Sequence, residues 1–182
     1  MNKTNAGGTD LSGQHYDATT IWLHWATVVL VIFLWGIGQT ADLLPKGPLR
    51  SGAWSIHVLL GFATTLVLIA RIVWRAEYGA TLPPADKGAL QVLAKATHYA
   101  LYALLVAVVV AGILNASYRG TQVFGVWSVP KFGAGVAATR RSINDWHELA
   151  ANTLVALAAL HAAAALVHQF VWRDRLIARM RP

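Results

Sequence analysis

Two histidines in the last apolar stretch of the chain, His147 and His161, are fourteen residues apart. At about 1.5 Å of rise and about 100° of rotation per residue, they lie about 21 Å apart along a helix and within roughly 40° of the same face. Imidazole is a common axial ligand of haem iron, and a six-coordinate haem takes two axial ligands on opposite sides. The spacing therefore indicates one helix that contributes a ligand to each of two stacked haem sites.

Each of these histidines has a possible partner at a matching depth. An even number of spans would place both termini on one side of the membrane, which we call the inner side. His57 lies about one turn into the second apolar stretch from the outer side, and His24 lies about one turn into the first from the inner side. Facing helices of a bundle can supply such pairs. We therefore pair His57 with His147 as outer iron ligands and His24 with His161 as inner iron ligands.

The alternative for each histidine alone is a hydrogen-bonded polar residue inside the bundle. Four histidines at paired depths favour ligands instead, because ionisable residues within a span are costly and usually functional. His98, on the third stretch, also lies at the inner depth and is the alternative to His24 as partner of His161.

Three further residues are candidates for cofactor binding near the inner side. His168 follows His161 by seven residues, and it is predicted either to bond a quinone carbonyl or a haem propionate or to have a structural role. Arg71 and Arg75 can pair with propionates, because a guanidinium offers a fork of donors. Ordinary interfacial anchoring is the other interpretation of each arginine.

Composition places these residues in a membrane. Of the 182 residues, 56% are hydrophobic and only 13% are charged, which is far from a soluble average. Four stretches without Asp, Glu, Lys or Arg approach the ~20 residues that cross a bilayer. The predicted fold is all-α, a four-transmembrane-helix bundle with haems in its core. It forms a single membrane domain over residues 1–182, with spans at about 19–41, 54–74, 96–118 and 146–172.

The chain contains no cysteine. This excludes disulfides, thiolate-held iron–sulfur clusters and covalent haem attachment, so any haem is held noncovalently. The first eighteen residues are polar and glycine-bearing, which is unlike a cleavable signal peptide, and the first span is expected to remain.

The net charge is +7, and the basic residues lie in loops and tails between the spans. This distribution argues against nucleic acid as a partner. Nine Lys and Arg residues lie on the side of the termini and six on the other. The positive-inside rule therefore favours both termini in the cytoplasm.

Two connections have distinct compositions. Pro83 and Pro84 are adjacent, and two residues without a backbone donor cannot continue a helix, so the second span must end before them. The longest connection, residues 119–145, contains several glycines between aromatics and is predicted to form an irregular outer cap.

The segments that carry the histidines resemble the bacterial cytochrome b561 family, and its superoxide oxidase branch most closely. These segments are Leu23-His24-Trp25, Ile56-His57-Val58, Trp146-His147-Glu148 and the run from Leu160-His161 through Ala165 to His168. The resemblance covers Tyr16 to Met180. It includes Arg71 and Arg75 at the end of the second span and Trp172 near the tail.

The resemblance implies a bacterial inner-membrane protein with two b haems, each held by two histidines, that exchanges electrons with quinone. In the superoxide oxidase branch, superoxide gives an electron at the outer haem and becomes oxygen, and the inner haem passes electrons to ubiquinone. The implied activity is that of a superoxide:ubiquinone oxidoreductase.

Two alternative functions remain. Related four-span b cytochromes relay electrons between quinone and a partner dehydrogenase or soluble carrier. A haem-free structural or sensory membrane protein is the other alternative.

Overall fold

The computed structural model describes residues 15–132 and 137–181. Its four long helices are α1 (Ala18–Thr40), α2 (Pro48–Glu77), α3 (Gly88–Arg119) and α4 (Ala137–Val167). Each is long and apolar enough to cross a membrane. The predicted all-helical, four-span architecture is confirmed.

Local sequence sets the ends of the helices. Asp17 caps α1, where its carboxylate accepts hydrogen bonds from the backbone N–H of Thr20 at 2.9 Å and from its hydroxyl at 2.7 Å. Pro83 and Pro84 lie in the connection between the end of α2 and the start of α3, as predicted. Gly120 ends α3 with φ +59°, a left-handed conformation that glycine adopts without steric cost.

The outer connection differs from the prediction of a wholly irregular cap. α4 begins at Ala137, nine residues before the predicted span. The connection also contains an antiparallel hairpin of β1 (Gln122–Val123) and β2 (Trp127–Ser128). The backbone N–H of Phe124 donates to Ser55 Oγ at 2.9 Å, which seats the hairpin on α2. The prediction missed the first turns of α4 because hydropathy marks only the lipid-spanning part of a helix, whereas these turns are polar.

A cluster of aliphatic side chains lies in the middle of the bundle. Leu68 of α2, Leu105 of α3 and Leu154 of α4 are buried against one another. Leu154 is seven residues from both His147 and His161. We call this cluster the aliphatic layer, and it lies between the depths of the two candidate haem sites.

The two ends of the bundle differ. At the hairpin end, β1 packs on α2. At the opposite end, which we call the terminal end, α4 continues into a π-helical turn (His168–Trp172) and a short 3₁₀-helix (Leu176–Met180). The backbone N–H of Tyr16 donates to the Arg179 oxygen at 3.1 Å, and Trp25 Nε1 donates to the Met180 oxygen at 2.9 Å. The C-terminal segment is therefore fastened to the start of α1.

Candidate haem sites

The structure brings His57 of α2 and His147 of α4 together at the hairpin end. Their ring centres are 6.2 Å apart, and the ring planes are 78° to each other. An imidazole nitrogen binds a transition metal at about 2.0–2.1 Å, so two imidazoles on opposite sides of one iron have ring centres about 6 Å apart. The observed separation fits a single iron between the two rings.

A neighbouring helix that contributes no ligand orients His147. Nδ1 of His147 lies 2.9 Å from the backbone oxygen of Val108 on α3. A carbonyl oxygen only accepts, so Nδ1 carries the proton and Nε2 keeps a free lone pair, as is usual for a metal-binding histidine. A Cβ built on Gly112 would lie 3.0 Å from His147 Cε1. Gly112 thus gives the ring the space in which this contact forms.

One ring nitrogen of His57 differs from most buried polar atoms in the described part of the chain. Its Nδ1 is buried and has no hydrogen-bond partner among the described residues, although the ring approaches the backbone carbonyl of Leu34. Buried polar atoms nearly always have a hydrogen-bond partner, so a buried nitrogen without one indicates a functional role for its residue. The ring also lies close to Gly38, where an added Cβ would be 3.8 Å from His57 Cε1.

Three histidines converge nearer the terminal end. The ring centres of His98 and His161 are 5.1 Å apart, with planes at 72°. His24 interacts electrostatically with both and with Arg71. Both sequence-based candidates for the partner of His161 therefore lie in its vicinity, and His98 is in ring contact with it.

Hydrogen bonds distinguish these two candidates. Arg71 donates from its guanidinium to His24 Nδ1 at 3.1 Å and from Nε to the Tyr102 hydroxyl at 2.8 Å. Because Nδ1 of His24 accepts, the proton of the neutral ring is on Nε2. Nδ1 of His98 lies 2.8 Å from the Ala94 oxygen, which makes it the donor and leaves Nε2 free. In this arrangement, His98 has the free Nε2, and His24 would bind iron through Nε2 only after Arg71 releases Nδ1.

Arg75 contacts the loop after α2. It donates to the Ala80 oxygen at 2.6 Å, and its guanidinium lies 5.9 Å from the centre of the Tyr16 ring. These contacts hold Arg75 against the loop and against Tyr16, and its pairing with a propionate stays a prediction.

His168 is buried between two carboxylates. Its Nδ1 is 2.6 Å from Asp174 Oδ2, and its Nε2 is 3.6 Å from Asp86 Oδ2. The two contacts join α4 to the C-terminal segment and to the α2–α3 connection. Sequence reasoning missed both aspartates, because neither lies at a recognisable spacing from His168.

The described residues form no group of three or more His, Cys, Asp or Glu side chains arranged to hold a bare metal ion. Haem requires less from the protein, because the porphyrin supplies the equatorial ligands and histidines supply the axial ones. Pairs of imidazoles between packed helices fit that requirement.

Comparison with known proteins identifies the family of this chain. Residues 15–182 match the family model described as prokaryotic cytochrome b561. The chain belongs to the prokaryotic cytochrome b561 family. As a member, it is a haem-binding, transmembrane protein of electron transport, and the resemblance seen in the sequence is confirmed.

Several relatives of this cytochrome b561 align over nearly their full length. A probable superoxide oxidase CybB of Yersinia pestis is 28% identical over 92% of this chain and 96% of its own. Cytochrome b562 of Cereibacter sphaeroides is 30% identical over 91% of this chain and 94% of its own. Cytochrome b561 homolog 1 of Escherichia coli K12 is 27% identical over 92% of this chain and 97% of its own.

Proposed function

We propose that this chain binds two b haems and passes electrons from a donor at the hairpin end, with superoxide as the favoured donor, to ubiquinone. The observation that carries the proposal is the pair of histidine clusters set fourteen residues apart on α4. His147 is in ring contact with His57 at one depth, and His161 is in ring contact with His98 and interacts electrostatically with His24 at the other.

The protein's contribution is to hold and orient the ligands. His57 and His147 would hold the outer iron, and His161 would hold the inner iron with His24, or with His98 in its place. A bound haem supplies one-electron redox chemistry. The Val108 carbonyl fixes the His147 tautomer, and the aliphatic layer packs the bundle between the two sites.

The arginines and His168 have different relations to the inner site. Arg71 contacts His24 directly, which supports a role in balancing the charge of a haem propionate there. Arg75 and His168 are engaged by loop and tail groups. Their contacts support an indirect role, in which they shape the terminal end where a quinone or a propionate would bind.

The net reaction requires no nucleophile from the protein, and its electrons and protons balance. Two superoxide anions each lose one electron and leave as oxygen, while ubiquinone takes up two electrons and two protons. The basic residues near the hairpin end would attract the anionic donor. These residues are Lys46, Arg50, Arg119, Lys131, Arg140 and Arg141.

The deciding experiment starts with the haem-to-protein ratio and the reduced-minus-oxidised spectrum of detergent-purified protein. Two haems per chain with low-spin spectra are expected. The purified protein is then given superoxide and a soluble ubiquinone, and ubiquinol formation is followed. One haem per chain would remove one of the two sites, and none would overturn the proposal.

An electron relay for a partner dehydrogenase or soluble carrier is the second candidate. The relative named cytochrome b562 is 30% identical and the one named superoxide oxidase is 28% identical, so similarity alone does not select the donor. Ubiquinol formation that requires an added partner protein, and not superoxide, would establish the relay.

We also propose a bacterial inner-membrane location with both termini in the cytoplasm. The excess of Lys and Arg on the terminal side supports this orientation. A reporter that fluoresces only in the cytoplasm, fused after Pro182, should be bright, whereas the same reporter inserted in the connection after Arg119 should be dark.

A further inference from the structure

A cavity of about 1060 Å³ lies at the terminal end, between the start of α1 and the C-terminal segment. Its volume is at the upper end of the roughly 300–1,000 Å³ typical of small-molecule sites. The candidate haem ligands do not line it. It is therefore separate from the histidine clusters.

The cavity is lined by both apolar and basic side chains. Ile21, Trp22 and Phe170 are among the apolar ones, and Arg175 and Arg181 are the basic ones apart from His15. Trp22 is 65% exposed and Phe170 is 69% exposed. A ligand of this cavity would need an apolar portion and an anionic portion.

Within the described part of the chain, no carboxylate pairs with the arginines of this cavity. Neither guanidinium has a hydrogen bond or an ion pair with another described residue. The acidic residues next to the cavity point their carboxylates elsewhere. Asp17 binds Thr20, Trp74 and Ala80, and Asp174 binds His168.

The segment that carries these arginines is also held in place. Arg175 has a left-handed backbone conformation, with φ +61°, directly before the 3₁₀-helix Leu176–Met180. That helix is fastened to α1 through Tyr16 and Trp25. The two arginines therefore face the cavity from a fixed segment.

We propose that this cavity binds one anionic phospholipid, with its phosphate between Arg175 and Arg181 and its acyl chains along Trp22 and Phe170. Basic pockets at a membrane surface attract anionic headgroups. The cavity joins such a pocket to exposed apolar side chains at the start of a transmembrane helix. The inference does not depend on the proposed electron transfer.

Native mass spectrometry of the delipidated full-length protein tests the proposal. The probes are dioleoyl phosphatidylglycerol and, as the zwitterionic comparison, dioleoyl phosphatidylcholine. We expect one phosphatidylglycerol to remain bound, with an affinity about tenfold or more above that of phosphatidylcholine.

Variants assign the bound lipid to the cavity. The double variant Arg175→Gln/Arg181→Gln should lose the preference for phosphatidylglycerol, whereas Arg175→Lys/Arg181→Lys should keep most of it. The double variant Arg140→Gln/Arg141→Gln removes the same charge from the opposite end and should bind as the unaltered protein does. All four arginines are exposed, so these changes spare the bundle core.

Three results would overturn the proposal. The first is equal binding of the two lipids, and the second is unchanged phosphatidylglycerol binding in the Arg175→Gln/Arg181→Gln variant. The third is evidence that another molecule or another segment of the chain occupies the cavity. Stoichiometric displacement of the lipid by ubiquinone-1 would assign the cavity to quinone, and a large gain in lipid binding on deletion of residues 1–14 would assign it to that segment.

Discussion

His147 Nδ1 lies 2.9 Å from the backbone oxygen of Val108, so a helix without an outer ligand sets the tautomer of a candidate ligand on its neighbour. The geometry is possible because Gly112, one turn further along α3, has no side chain to displace the ring. The outer site thus depends on α3 as well as on α2 and α4.

Replacing Gly112 with alanine should impair the outer haem site. The new Cβ would lie 3.0 Å from His147 Cε1 and 3.3 Å from its Nδ1, so the ring must move away from Val108. The haem-to-protein ratio should fall from two towards one, measured by pyridine haemochrome and protein assay. Gly52→Ala is the matched control, because its Cβ would meet nothing within 4 Å. An unchanged ratio and low-spin spectrum in Gly112→Ala would refute the role of this glycine.

Single substitutions should identify the inner ligands. A haem propionate would draw the Arg71 guanidinium away from His24 Nδ1 and so free His24 to bind iron. We therefore expect His161→Ala and His24→Ala each to remove the inner haem, whereas His98→Ala should leave both haems bound. The measurement is the haem ratio together with the low-spin spectrum of each variant. The reverse result, in which His98→Ala loses the haem and His24→Ala keeps it, would assign the ligand to the histidine whose Nε2 is free in this structure.

Truncating Leu154 should destabilise the bundle. The side chain is 5% exposed and packs against Leu68 and Leu105, so Leu154→Ala leaves a cavity in the aliphatic layer. We expect a loss of about 2 kcal/mol, the lower part of the range for buried leucines, because lipid is as apolar as the bundle interior and packing is the main term. Thermal unfolding in detergent measures it. Leu160→Ala, at a site that is 68% exposed, should change the midpoint little.

Acid should weaken the start of α1 through Asp17. Desolvation raises its pKa, but hydrogen bonds from Thr20, Trp74 and Ala80 outweigh this and hold the pKa well below its usual 3.8. A lowered folded-state pKa means that the carboxylate stabilises the fold above the unfolded-state value, and that this stabilisation is lost as pH falls below about 4.

The Asp17→Asn variant checks this dependence. Asparagine keeps one N-cap acceptor, but its amide nitrogen cannot accept the hydrogen bonds that Asp17 Oδ2 takes from the Thr20 hydroxyl and the Ala80 N–H. The variant should therefore have a lower unfolding midpoint at pH 7, by an amount that corresponds to about 1 kcal/mol. Near pH 3, the variant and the unaltered protein should have more similar midpoints. A constant difference between pH 7 and pH 3 would contradict the assigned role of the carboxylate.

Helical periodicity and membrane depth predicted much of this arrangement. The fourteen-residue spacing placed His147 and His161 on one side of α4, and depth alone matched His57 to His147. Membrane depth could not decide whether His24 or His98 is the partner of His161. Both lie near the same level, and in the structure both lie in the vicinity of His161.

The sequence could not predict contacts that involve backbone atoms or contacts between segments that the fold brings together. No pattern reveals that the Val108 carbonyl faces His147, because every residue has a carbonyl. Likewise, Asp86 and Asp174 read as ordinary loop acids until the chain folds them onto His168. The polar first turns of α4 were missed because helix formation continues where hydropathy has already ended.

The aliphatic layer has a consequence for how the membrane voltage would act. Leu68, Leu105 and Leu154 have no polar group to carry a proton alongside an electron, and the hydroxyl of Tyr102, which packs against them, is bonded to Arg71. An electron that moved between sites about 21 Å apart would cross about two thirds of a ~30 Å hydrocarbon core, and at 100 mV that displacement corresponds to about 1.5 kcal/mol. A voltage of that size would change the ratio of electrons on the two sites by about tenfold. Electron transfer through this bundle would therefore be electrogenic, favoured by one polarity of the membrane and opposed by the other.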